Sequence, residues 1–154
     1  MVFGKQPQEY FNKKRIAEIT KLTQRQVQFY TEQGVVTPEI DAGEGRGKTR
    51  LYSDRNLAQF LIIKGLTELG MTISKIRPII KHPDLEAIIQ RPISHQGPPM
   101  YIKISRKDDG TLTLNWSSKD NAANQSVLND AEIQDVDECI VINFNRISSA
   151  AYKR

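Results

Sequence analysis

The stretch Arg15–Val36, RIAEITKLTQRQVQFYTEQGVV, decides how the rest of the chain is read. Ile16, Ile19 and Leu22 recur at helical spacing, and Val27 with Phe29 or Tyr30 begins a second apolar series shortly afterwards. Between them, Thr23-Gln24-Arg25-Gln26 has the form of a capping box. The Thr23 hydroxyl can accept a backbone N–H of the first turn while Gln26 reaches back to the cap. A new helix is therefore expected at Thr23. Gly34 should close it in the left-handed conformation, and Pro38 blocks its continuation. Two helices joined by so short a turn make a helix-turn-helix, although a plain helical hairpin in a small core has the same outline.

The outer face of the second helix carries the functional signal. Gln24, Arg25 and Gln28 point away from the Val27 side, and Gln26 serves the cap. In a major groove glutamine pairs bidentately with adenine and arginine with guanine. Thr23, Tyr30 and Thr31 add hydroxyls of the kind that hold phosphates.

Arg15–Val36 resembles the N-terminal DNA-binding segment of the MerR family of transcriptional regulators. The likeness continues through Thr49-Arg50-Leu51-Tyr52-Ser53, the wing-to-helix junction of that family, and into Leu66-Thr67-Glu68-Leu69-Gly70-Met71-Thr72-Ile73, its second helical pair. It covers the first half of the chain. The resemblance implies a MerR-like winged helix-turn-helix over residues 10–91; the alternation of the second half adds a small antiparallel β module over residues 100–147, so the fold expected is α+β. It places the helix beginning at Thr23 in the major groove, with the wing around Arg46–Tyr52 on the flanking backbone. The expected DNA contacts are Thr23, Gln24, Arg25, Gln28, Phe29, Tyr30, Arg46, Lys48, Arg50, Tyr52 and Lys64, the last matching a lysine that meets phosphate. Members commonly carry an arginine and two tyrosines where this chain has Gln28-Phe29-Tyr30. A charge-assisted phosphate contact and one hydroxyl are lost, which weakens affinity or moves base preference toward adenine. The implied partners are double-stranded DNA, a second copy of the chain and RNA polymerase, with no cofactor and no membrane. The long helix that usually pairs two copies is interrupted here by Pro78, Pro83 and Pro92, so dimerisation is expected through the β module, chiefly Ile140–Phe144.

Composition agrees with a polyanion partner. Of the 154 residues, 38% are hydrophobic, enough for a modest core, and the formal charge is +4. Residues 1–91 carry 15 lysines and arginines against 10 carboxylates, and residues 92–154 carry 7 against 8, so the basic excess sits with the helix-turn-helix. Cys139 is the only cysteine, which excludes an intramolecular disulfide and suits a reducing compartment. No apolar run is long enough to span a bilayer, and MVFGKQPQEY lacks the apolar core of a signal peptide. A cytoplasmic location is expected.

The remaining elements follow in order. Residues 1–9 form a polar leader, Tyr10 and Phe11 are core aromatics, and Asn12 caps the first helix. Thr37–Thr49, with Gly43, Gly45 and Gly47 at alternate positions, is a loop or hairpin tip. It lacks the preceding strand and the Lys-Ser/Thr of a nucleotide loop, and a wing offering Arg46, Lys48 and Arg50 fits better. Ser53 caps a central core helix over Asp54–Leu69, on which Lys64 interrupts an otherwise apolar surface. Gly70 and Thr72 separate it from a helix over Ile73–Ile80 that contains Pro78. Pro83 opens a short helix over Asp84–Arg91, and Pro92 and Gly97-Pro98-Pro99 mark a domain boundary. Alternation then predicts strands at Met100–Ser105, Leu112–Trp116 and Ile140–Phe144, with a turn at Asp109-Gly110. Such a sheet, wet on one face, should pack on a helix or another chain.

Sites for chemistry are not evident. His82 and His95 have no acidic or thiol companion at ligand spacing, so no metal is expected. No nucleophile–base set is present, and Asp108 and Asp109 belong to the turn. An enzyme is not expected. Three other readings share the fold: a DNA-architectural factor of excisionase type, a protein-interaction adaptor on a winged helix, and a ligand-responsive regulator with a pocket near Trp116 and Tyr101.

Overall fold

The computed structural model describes residues 9–41, 49–89, 100–107, 109–118 and 138–143. The chain forms two compact units, Met1–Lys64 and Gly65–Arg154. The boundary expected at residues 92–99 lies outside the described residues, as do the leader 1–8, the acidic segment 130–137 and Phe144.

In the first unit, helix α1 spans Lys13–Thr20, and the Asn12 side chain accepts the Arg15 N–H at 2.8 Å. Lys21 ends α1 in the left-handed region, at φ 63°, and reverses the chain. Helix α2 spans Gln24–Glu32 and opens on the expected box: Thr23 Oγ1 accepts the Gln26 N–H at 3.1 Å, and the Thr23 N–H donates to Gln26 Oε1 at 2.8 Å. At its far end Gly34 has φ +68°, its N–H donates to the Thr31 carbonyl at 3.0 Å, and the Val35 N–H donates to the Tyr30 carbonyl at 2.9 Å. This is a Schellman closure. Both ends of α2 are thus set by residues within five positions of each other.

Strands β1 (Ile40–Asp41) and β2 (Arg50–Leu51) pair antiparallel, with Ile40 opposite Leu51 and Asp41 opposite Arg50. Phe11 and Tyr52 exchange two backbone hydrogen bonds, each 2.8 Å, tying the start of the unit to the lead-in of α3 (Asp54–Glu68). Leu57, Ala58, Phe60, Leu61, Ile62 and Ile63 of α3 are buried, as is Leu66 beyond the unit boundary, in keeping with apolar residues around most of the helix. The choice between Phe29 and Tyr30 falls to Tyr30, which is 7% exposed while Phe29 is 44% exposed. Phe11 is in the core as expected. Tyr10 is not: at 40% exposure it lies outside the apolar interior.

In the second unit, α4 spans Ile73–Ile80 with Pro78 inside it, and α5 spans Pro83–Ile89. The Thr72 hydroxyl bonds Ser74 Oγ at 2.9 Å and makes no cap bond to α4. Strands β3 (Met100–Arg106), β4 (Leu112–Ser118) and β5 (Glu138–Asn143) form an antiparallel sheet in the order β4-β3-β5. The β3–β4 turn closes through the Gly110 N–H on the Lys107 carbonyl at 2.8 Å, with Gly110 at φ +85°. Ile102, Ile104 and Leu114 are buried, and α5 packs against β4 with Leu85 inside. The expectation of a sheet covered by a helix holds.

One expectation for the sheet does not. Lys103 and Ser105, on the opposite parity of β3 from Ile102 and Ile104, are also buried, so the centre of the strand has no wet face. A central strand has neighbours on both sides, and alternation alone does not report what covers its second face. Register also pairs Trp116 with Ile102, and Tyr101 with Ser117. Tyr101 and Trp116 therefore hold register positions of opposite parity.

Candidate nucleic-acid interface

The exposed stripe of α2 is built by its buried one. Val27 and Thr31, with Tyr30, turn inward, which leaves Gln24, Arg25, Phe29 and Glu32 outward on a helix whose ends are both closed. Among the described residues, the side chains of Gln24 and Arg25 enter no hydrogen bond or ion pair. Arg25 sits in the first turn, where a helix laid into a groove brings its side chains nearest the base edges. Its planar fork of donors is free to pair bidentately.

Gln28 is placed differently from its expected role. Its carbonyl oxygen accepts from Lys13 Nζ at 3.2 Å, and its amide nitrogen donates to Glu32 Oε1 at 2.7 Å. Both ends of the amide work within the protein, linking α1 to α2. Thr23 is exposed, with its hydroxyl accepting the cap bond and its proton still available. Phe29 presents its ring outward, edge-to-face against Tyr30 with centroids 5.4 Å apart.

Two of the expected DNA-contacting hydroxyls are core groups instead. Tyr52 is 1% exposed, and its hydroxyl meets that of Thr31 at 2.9 Å inside the unit. Burial pushes the Tyr52 phenol up from its ordinary value, with the Thr31 hydrogen bond opposing. Thr31 Oγ1 also donates to the Val27 carbonyl at 2.9 Å, and Tyr30 is buried. Buried hydroxyls paired with one another cannot also hold a phosphate, so Thr31 and Tyr52 take structural roles.

Arg50 is half-buried on β2, and its Nε lies 3.4 Å from Asp41 Oδ1 across the two-stranded ladder. Lys64 is half-buried on α3. Arg46 and Lys48 lie outside the described residues. Lys14, in the first turn of α1, and Lys21, at the turn into α2, are exposed cations that the sequence reading did not include.

A second omission is Asn56, 2% exposed, which joins three segments of this unit. Its Oδ1 accepts the Ser53 N–H at 3.0 Å and the Glu39 N–H at 3.1 Å, and its Nδ2 donates to the Thr37 carbonyl at 2.9 Å and Gln59 Oε1 at 3.1 Å. The Asn56 N–H returns to Ser53 Oγ at 3.3 Å, which completes a capping box with asparagine in the third position. The spacing Ser53-x-x-Asn56 was the available signal. By holding Thr37 and Glu39, Asn56 sets where the chain leaves α2 and enters β1. Beside it, burial and then Glu9 push the Asp54 carboxyl above the usual carboxylate range.

No metal-binding group is built here: among the described residues no cluster of three or more His, Cys, Asp or Glu side chains could hold an ion. In the second unit His82 uses both ring nitrogens structurally, Nδ1 accepting the Asp84 N–H at 3.2 Å and Nε2 facing the Leu112 carbonyl at 3.2 Å. Nor is any helix among the described residues long and apolar enough to cross a membrane.

Residues 12–82 match the family model described as "MerR HTH family regulatory protein". Over 65 residues the chain is 31% identical to an uncharacterized HTH-type transcriptional regulator of Mycobacterium bovis, and equally to two of Mycobacterium tuberculosis. Each match covers 42% of this chain and 29% of the relative. The chain thus spans under a third of the length of the curated relatives it matches.

Proposed function

We propose, taking residues 12–82 as the MerR-family helix-turn-helix segment that they are, that this protein is a sequence-specific double-stranded DNA-binding transcriptional regulator. The observation that carries the reading is the outward stripe of α2, where the side chains of Gln24 and Arg25 stand exposed and unbonded among the described residues, on a helix capped at both ends. In this reading α2 lies in the major groove, with Arg25 on a guanine and Gln24 on an adenine edge. The segment between β1 and β2, whose sequence carries Arg46 and Lys48, acts with Arg50 of β2 as a wing on the flanking phosphates. Thr23 and Lys64 add backbone contacts, joined by Lys14 and Lys21.

The DNA-binding part takes residues 10–91, and the β module of residues 100–147 joins two copies for a paired operator. Two features support that assembly. The helices α4 and α5 are only 8 and 7 residues long, too short for a pairing coiled coil, and β5 is an outer strand of its sheet among the described residues. RNA polymerase is a further partner on this reading.

Selection of bound sequences from random DNA by the full chain, followed by a salt titration on the winner, tests the proposal. A recovered two-half-site sequence bound with steep salt dependence is expected. Weak, salt-insensitive binding with no recovered sequence refutes it in favour of a protein adaptor. Cooperative binding to arrays of repeated sites would point to an architectural factor. Sedimentation of the full chain as a monomer that still occupies both half-sites one copy at a time would remove the dimer.

A further inference from the structure

We infer that Phe29 reads the 5-methyl group of a thymine, so that the DNA site of this protein carries a T at a fixed position beside the base read by Arg25. The inference rests on the reading of α2 as the DNA-reading helix. Phe29 follows Arg25 by four residues and shares its exposed stripe one turn further along. It is 44% exposed, in a helix whose other aromatic residue, Tyr30, is buried.

Three observations point the ring at a base rather than leaving it as scattered surface. The neighbouring polar side chain, Gln28, is held by Lys13 and Glu32, so its amide does not compete for base edges. The ring is itself held, edge-to-face on Tyr30 at 71° between planes, and meets a ligand with little freedom left to lose. Phenylalanine also has no donor or acceptor. The thymine methyl is the apolar group that base edges present in the major groove. Four helical residues rise about 6 Å, against about 3.4 Å per base pair, so the thymine should lie within about two base pairs of the base under Arg25.

The test uses the full chain on its selected DNA sequence. Each thymine is replaced in turn by deoxyuridine, which removes the methyl and keeps every hydrogen-bonding group. One thymine in each half-site should then bind about four-fold more weakly, as expected for one buried methyl at about 0.8 kcal/mol, while the others are indifferent. Phe29→Ala should bind the thymine and uracil sites equally, and Phe29→Leu should keep part of the difference. Circular dichroism of both variants should match the parent, because the residue is exposed. Indifference of the parent protein at every thymine overturns the inference, and so does a difference that survives in Phe29→Ala. Either result leaves DNA binding itself intact, since a sequence has still been selected. Failure to select any sequence would remove the DNA-binding reading and this inference with it.

Discussion

Replacing Asn56 by alanine should destabilise the first unit by about 3 kcal/mol. The magnitude follows from the groups left behind. Ser53 and Gln59 are 2% and 6% exposed, so the Ser53 N–H and Gln59 Oε1 lose their Asn56 partners where water does not easily replace them. Each such orphan costs about 1–3 kcal/mol. The Glu39 N–H and Thr37 carbonyl are nearer solvent, and their bonds are worth about 0.5–1.5 kcal/mol each before water takes over. The lower ends of these ranges sum to about 3 kcal/mol. In a chain of this length that corresponds to a fall in Tm of roughly 6–12 °C. Thermal melting by circular dichroism reads the global effect, and amide hydrogen exchange at Glu39 and Ser53 reads the local one. Asn56→Asp should fall between: its carboxylate still accepts from Ser53 and Glu39 at a helix start, where negative charge is favoured, but it cannot donate to Thr37. If Asn56→Ala melts within a degree or two of the parent and both amides keep their protection, the side chain does not hold these segments together.

Four further outcomes are expected. Arg25→Ala should relax base choice at one position in each half-site, costing about 1–3 kcal/mol by competition binding, whereas a uniform loss on all sequences would show a phosphate contact instead. Neutralising Arg46, Lys48 and Arg50 together should weaken binding to every sequence and flatten its salt dependence by about one unit of slope per lost phosphate contact; an unchanged slope removes the wing from the interface. Tyr52→Phe should cost about 0.5–1.5 kcal/mol of stability while leaving affinity and salt slope as they were, because Thr31 Oγ1 keeps its bond to the Val27 carbonyl; a fall in DNA affinity without a fall in Tm would restore the tyrosine to the DNA contacts. Asp109 is a pH-sensitive group of the β3–β4 turn: hydrogen bonds from Thr111 hold its carboxyl below the usual carboxylate range, so its contribution to the turn is complete above that range and fades as pH falls through the folded value. The Thr111 amide shift should titrate at that acidic pH in the parent and be flat in Asp109→Ala, and a flat parent titration would refute the link.

The two ends of α2 were legible because each is closed by neighbours. A capping box needs residues three apart, and a left-handed glycine after the last turn needs little more, so Thr23, Gln26 and Gly34 stated their roles locally. The same holds for Asn12, for the turn at Gly110, and for the strand alternation of residues 100–116. Tertiary structure alone decided which of two adjacent aromatics faced out, since Phe29 and Tyr30 both fit an apolar helical series. It also drew Tyr52 inside against Thr31, 21 residues away, and bound Gln28 to Lys13, 15 residues away. In both cases the side-chain chemistry fits a DNA contact as well as an internal bond, and periodicity does not say which partner is nearer. Asn56 shows the limit most clearly. Its bond to Ser53 is a local cap that a spacing can suggest, but its bonds to Thr37 and Glu39 exist only once the chain leaving α2 has folded back over the start of α3. Burial then makes those bonds obligatory, because polar groups shut away from water must find one another.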